Sequence, residues 1–135
     1  MDKIFKKFIN QYIDAINNDI DIDLLSQSAD LIKETKNKGG KIILAGNGGS
    51  SSIASHVSVD FAKVARVKSS TFNNSNLITC FANDYGYENW VTEAIKAYMN
   101  KKDMMILISS SGKSKNIINA AKYCKKNSIK LVTFS

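Results

Sequence analysis

Apolar residues at Ile4, Phe5, Phe8, Ile9, Tyr12, Ile13, Ile16 and Ile20 recur every three to four positions. That is the period of an amphipathic helix. A second helix is expected to open at an Asp21 or Asp23 cap, to bury Leu24, Leu25, Ala29 and Ile32, and to stop at Gly39-Gly40. Two helices cannot cover their own apolar stripes. The pair must pack on the rest of the chain, on another subunit, or on both, so a homo-oligomer, dimer or tetramer, is expected.

Beyond Gly40 the pattern changes to short apolar runs alternating with amphipathic stretches. Lys41–Ala45, Leu77–Ala82, Met104–Ser109 and Lys130–Phe134 read as strands. Residues from Ser50 to about Arg66, from Glu88 to about Met99, and from Ser114 to about Asn127 read as helices. Strands that are apolar throughout and separated by helices imply a parallel sheet covered on both faces. The expected fold is α/β, a doubly wound, flavodoxin-like sheet (residues 39–135) preceded by the helical pair (residues 1–38). Ligands in such folds bind beyond the carboxyl ends of the strands. The loops following Ala45, Ala82 and Ser109 are therefore the ones to search.

Composition narrows the classes. The 135 residues are 44% hydrophobic and 23% charged, enough to build one domain with a sizeable core. The longest apolar runs, such as Met104–Ile108, are too short to span a bilayer, and no signal-peptide stretch follows the charged start at Asp2, Lys3, Lys6 and Lys7. A cytoplasmic protein without a membrane partner is expected. Cys80 and Cys124 lie outside any CxxC spacing and read as buried free thiols. The net charge of +7 comes from lysines scattered along the chain, and no zinc-finger or RNA-recognition spacing accompanies them. No nucleic-acid partner is expected.

The first loop is Gly46-Asn47-Gly48-Gly49-Ser50. Its glycines permit positive φ and close backbone approach, and the helix opening at Ser50 presents free N–H groups. A dinucleotide fingerprint would need a third glycine where Ser51 stands, and an acidic residue about twenty positions on, which is missing. The third loop is Ser109-Ser110-Ser111-Gly112-Lys113-Ser114. A nucleotide P-loop would need glycine where Leu107 stands. What remains is a set of hydroxyls and amides at a helix start, suited to a phosphate monoester, although serines also cap helices and make turns. No organic cofactor is expected.

Together, the Gly-Asn-Gly-Gly-Ser loop, the helix carrying His56 and Asp60, the segment Asn83-Asp84-Tyr85-Gly86 and the Ser109-Ser110-Ser111-Gly112-x-Ser114 loop resemble the sugar isomerase (SIS) domain family. Within it they are most similar to the sedoheptulose 7-phosphate isomerases. The resemblance implies a phosphate cradle at Ser109, Ser111 and Ser114 with Ser110 nearby, and sugar contacts from Asn47, Gly48, Gly49, Ser50 and Asp84. It implies that Asp60, one methylene shorter than the glutamate usual in that family, is the proton-abstracting base. Some members hold zinc at the positions matching His56 and Asp60, so those two are the metal candidates. The family's basic residue shortly after this helix has no clean counterpart, because Val64 stands there; Lys63 and Arg66 are the substitutes at hand.

The implied reaction interconverts sedoheptulose 7-phosphate and D-glycero-D-manno-heptose 7-phosphate, supplying heptose for lipopolysaccharide or capsule. An aldose–ketose exchange through an enediol requires a carboxylate base, a partner acid and groups that stabilise an oxyanion. Alternatives are a different SIS phosphosugar isomerase, or a non-catalytic SIS module that senses sugar phosphates or binds a replication-initiator partner. The resembled family also carries a catalytic histidine on a helix after the last strand read here. The second acid–base residue is therefore expected outside these residues, with the domain truncated at its C-terminus.

Overall fold

In a computed structural model, which describes residues 2–135, the apolar runs at the centre of the chain become fully enclosed strands. β1 (Ile42–Gly46) is buried at every position, and β3 (Met104–Ile108) at all but its last. They pair in parallel from Ile42 opposite Met104 to Gly46 opposite Ile108. β4 (Lys130–Phe134) continues the sheet on the far side of β3, and β2 (Ser69–Thr71) on the far side of β1, both parallel. The order is β2-β1-β3-β4. The crossover from β1 therefore runs one way, to β2, and the crossover from β3 runs the other way, to β4, so the point of reversal lies between β1 and β3. That crevice is where doubly wound folds bind ligands.

Strand side chains alternate between two cores. Ile43, Ala45, Met105 and Leu107 meet Trp90, Val91, Ala94 and Ile95 of α5 (Trp90–Tyr98) and Ile117, Ala120 and Cys124 of α6 (Lys115–Lys126). Ile42, Leu44, Met104 and Ile106 meet Ala54 of α3 (Gly49–Lys63) and Val67. Helices therefore cover both faces, as the continuous apolar strands require.

The run Leu77–Ala82 is not a strand. It lies within α4 (Ser75–Tyr85), capped by Asn74, whose Oδ1 accepts from the Asn76 N–H at 3.0 Å. Leu77, Ile78, Phe81 and Ala82 fall on one helical stripe and pack against the α5/α6 core. A short apolar run fits a buried strand and a buried helical stripe equally well, and here helix wins. Asn83, Asp84 and Tyr85 are accordingly the last turn of a helix, with Gly86 as its cap. The strand that pairs with β1 is instead the polar Ser-Ser-Thr of β2, an edge strand whose side chains carry no apolar signal.

The chain divides into two compact units, one ending at Asp30 and one spanning Leu31–Ser135. The first contains α1 (Asp2–Asn18) and the start of α2 (Ile22–Asn37). Asp21 is the cap of α2, its Oδ1 accepting from the Leu24 N–H at 2.9 Å. Ile4, Phe5, Phe8, Ile9, Tyr12, Ile13 and Ile16 are exposed, and so are Leu24, Leu25 and Ala29, which sequence reasoning buries. Two helices have too few side chains to enclose so wide a stripe. The last turns of α2 belong to the second unit: Leu31 and Ile32 pack on the α3 side of the sheet, and Lys36 Nζ donates to the Ala65 carbonyl at 2.8 Å. Among the described residues no helix is long and apolar enough to cross a membrane.

Candidate functional site

The loop after β1 is fixed from several directions. The Gly46 N–H donates to Asn73 Oδ1 at 3.1 Å, and the Gly46 carbonyl accepts from Asn73 Nδ2 at 2.7 Å. A Cβ on Gly46 would lie 2.7 Å from the backbone carbonyl of Ser50, so only glycine lets the first turn of α3 close over the strand end. Gly48, at φ 53°, occupies the cap position of α3 without a side-chain cap bond. Ser50 N–H donates back to Asn47 O at 3.0 Å.

Asn47 is the centre of this loop's polar contacts. Its Nδ2 donates to Asn116 Oδ1, and Asn116 Nδ2 donates back to Asn47 Oδ1, both at 2.9 Å. Tyr87 Oη donates to the same Asn47 Oδ1 at 3.2 Å. One turn further along α6, Asn119 Nδ2 donates to the Glu88 carbonyl at 3.0 Å, which ties down the segment carrying Tyr87.

The loop after β3 is built differently. The buried Ser109 donates its N–H to Phe134 O at 2.9 Å, and its carbonyl accepts from the Gly112 N–H at 3.0 Å, with Gly112 at φ 61°. Ser109 Oγ lies 3.4 Å from Ser114 Oγ, a long contact, and Ser111 Oγ accepts from the Lys113 N–H at 3.2 Å. Ser110 and Ser111 are exposed, and Ser114 stands at the cap position of α6 without a side-chain cap bond. Hydroxyls so lightly engaged, at the amide-bearing end of a twelve-residue helix, offer donors to an anion.

The remaining candidates belong to other elements. Asp84 is exposed on the last turn of α4 and accepts from Asn83 Nδ2 at 2.9 Å. His56 Nε2 and Asp60 Oδ2 are 3.4 Å apart on one face of α3, with side chains 80% and 52% exposed. Asp60 comes ten residues after Ser50, which at the helical rise puts it about 15 Å along α3 from the loop end of the sheet. Within one chain, then, the fold gathers Asn47, Ser50, Ser109 and Ser114 at the strand ends but leaves the carboxylate behind. Zinc would find two donors in His56 and Asp60, and among the described residues no further His, Cys, Asp or Glu joins them. Four ligands are usual for structural zinc and three for catalytic zinc, so these two side chains do not make a site by themselves.

Residues 5–135 match the SIS-domain family. The chain belongs to that family. Its relatives include a phosphoheptose isomerase of Thermodesulfovibrio yellowstonii, 35% identical over 84% of this chain and 60% of the relative. A phosphoheptose isomerase of Helicobacter pylori is 36% identical over 84% of this chain and 62% of its own. The chain thus spans about three-fifths of the length of these relatives. A solved phosphoheptose isomerase from Francisella tularensis superposes with a TM-score of 0.81 at 26% identity, covering 98% of this chain and 73% of that one. One from Neisseria gonorrhoeae superposes with a TM-score of 0.82 at 23% identity, over 96% of this chain and 73% of that one, a likeness of fold.

In this SIS domain, sequence reasoning missed Asn73, Tyr87, Asn116 and Asn119. Each is an ordinary polar residue in a helix or turn, and only the long-range contact gives it meaning. A cavity of about 460 Å³ also opens beside the β2 edge, lined by Ile43, Phe72, Leu77, Phe81 and Tyr98 among others. None of the candidate site residues borders it, and Lys41 at its rim is turned to the Tyr98 carbonyl at 2.9 Å.

Proposed function

We propose that this SIS domain binds a ketose phosphate and serves an aldose–ketose isomerase that interconverts sedoheptulose 7-phosphate and D-glycero-D-manno-heptose 7-phosphate. The observation carrying this reading is the pairing of two loops at the β1/β3 reversal: a hydroxyl- and amide-rich helix start after β3, and an asparagine-centred loop after β1. The names of the relatives at 35% and 36% identity support the substrate. In this reading the phosphate sits among Ser109, Ser110, Ser111 and Ser114 and the N–H groups opening α6. The sugar meets Asn47, the Gly48-Gly49 backbone, Ser50 and Asp84.

Asp60 is the proposed base. It takes a proton from C1 while the C2 carbonyl oxygen is protonated, giving the enediol; the proton on the carboxylate exchanges with solvent, and delivery of a proton to C2 as O1 gives up its own forms the aldose. The distance along α3 separates Asp60 from its own chain's phosphate loop, so the acid–base step belongs to a site shared between copies of the chain. That requirement, and the exposed apolar face of α1, fit a homo-oligomer. The proposed isomerase works in the cytoplasm, its product feeding the heptose of lipopolysaccharide or capsule. A second reading, a sugar-phosphate-sensing module without catalysis, draws on the same distance between Asp60 and the loops. Incubating the full-length protein with sedoheptulose 7-phosphate and a panel of other ketose phosphates separates the two. Aldose heptose 7-phosphate as the main product supports the isomerase; binding without conversion of any member supports the sensor.

A further inference from the structure

Asn116 is the anomaly at the reversal point. It is a carboxamide only 2% exposed, on the first turn of α6. A buried amide without partners carries a desolvation penalty, and its hydrogen-bonding side-chain partner here is Asn47, 69 positions earlier in the chain. The pairing is reciprocal, so neither amide can rotate without breaking two bonds at once.

The bonds can be counted against capacity. A carboxamide accepts twice at its oxygen and donates twice at its nitrogen. The Asn47 oxygen accepts from Asn116 Nδ2 and from Tyr87 Oη, which fills it; its nitrogen gives one N–H to Asn116 Oδ1. One N–H is left over. Asn119, on the same side of α6, holds the Glu88 backbone and so keeps Tyr87 in range.

We propose that Asn116, with Tyr87, is a positioning group that locks Asn47 so that it presents a bound sugar phosphate with a single hydrogen-bond donor and no acceptor. This rests on the sugar-phosphate reading above. The consequence is a rule of specificity: the ligand atom meeting Asn47 is an oxygen that accepts, a carbonyl or the oxyanion of an enediolate, in preference to a hydroxyl that must donate. A donor aimed at developing negative charge is the arrangement that stabilises such a transition state. Because Asn116 sits on the helix that the serine loop opens, the same helix start would set both the phosphate and the sugar end of the ligand.

The test uses Asn116→Ala, Tyr87→Phe, Asn47→Ala and the double variant Asn47→Ala/Asn116→Ala in the full-length protein. Asn116→Ala is expected to lower kcat/KM for the heptose phosphate about tenfold, the loss of one well-made hydrogen bond, mainly through kcat, and Tyr87→Phe about threefold. Inorganic phosphate affinity should stay within about twofold of wild type, since the serine loop is untouched. In the Asn47→Ala background, Asn116→Ala should cost nothing further, because its effect passes through Asn47. Equal losses for inorganic phosphate and sugar phosphate, or additive losses in the double variant, would make Asn116 a mere support of α6 and overturn the proposal. Side-chain amide NMR signals give a readout independent of turnover. The Asn47 pair should shift in both Asn116→Ala and Tyr87→Phe, the latter keeping the fold if the former does not. An Asn47 signal unmoved by either overturns the proposal even when the protein is active; wild-type protein inert toward every sugar phosphate overturns the functional reading instead, with the amide signals still deciding the lock.

Discussion

The two loops at the reversal point hold their polar groups in opposite ways. After β1, Gly46 and Asn47 are bound by side chains from distant segments, and the Asn47 oxygen is filled. After β3, only the Ser109 N–H reaches a distant segment, at Phe134 O; the other bonds are local, and the hydroxyls carry one long contact of 3.4 Å and one backbone bond of 3.2 Å. One loop is set before a ligand arrives, and the other keeps its donors available. A phosphate is nearly symmetric and tolerates a lightly engaged cradle, whereas discriminating one carbonyl among several hydroxyls demands a fixed donor.

The largest effect is expected at Asp60, which belongs to neither loop: Asp60→Asn should lower turnover by about a hundredfold or more while leaving phosphate affinity intact. Calorimetry with inorganic phosphate beside a turnover assay checks both halves, and retained turnover would reassign the base. Next comes the closed loop. Gly46→Ala forces a methyl group against the Ser50 backbone at 2.7 Å, and the folded state should lose about 3 kcal/mol in urea denaturation. A loss below about 0.5 kcal/mol would show that the turn has room to relax.

The open loop should respond in binding and not in stability. Ser111→Ala is expected to weaken sugar-phosphate binding by about 1 to 3 kcal/mol, with the midpoint of unfolding unchanged. Unaltered affinity would remove Ser111 from the cradle. The smallest effect concerns the thiols. Cys80 is exposed on α4, which corrects its assignment as a buried thiol, while Cys124 is enclosed in the α5/α6 core. Burial pushes the Cys124 thiol from its ordinary 9.0 up to about 11. Because the folded value is the higher one, this group's contribution to stability is complete below pH 9 and is lost as the pH rises toward 11. A disulfide reagent at pH 8 should therefore titrate one thiol in the native protein and two in urea; two in the native state would contradict the packing around α6.

Much of the fold could be read from the chain because β1, β3 and β4 are apolar enough to declare themselves, and the glycine- and serine-rich loops mark their carboxyl ends. β2 escaped because an edge strand of Ser-Ser-Thr has no apolar face, and α4 was misread because a run of six residues does not define a period. The site divides the same way. Glycines and clustered hydroxyls announce a loop by composition, so Asn47, Ser50 and the serines are found locally. Asn73, Asn116 and Tyr87 act across the fold, and nothing in their immediate sequence distinguishes them from surface polar residues. The pairing of His56 with Asp60 follows from helical spacing, and they do stand 3.4 Å apart. Their separation from the loops follows from the direction in which α3 runs, which spacing alone does not reveal.

In the proposed reaction these two loops orient a ketose phosphate for proton transfer between C1 and C2. The direct measurement is to incubate the full-length protein with sedoheptulose 7-phosphate in heavy water and follow the sugar by NMR. The account predicts aldose heptose 7-phosphate carrying solvent deuterium at C2, and no such label with Asp60→Asn. Sugar phosphate that binds at the serine loop, yet shows neither conversion nor exchange with solvent, would contradict it.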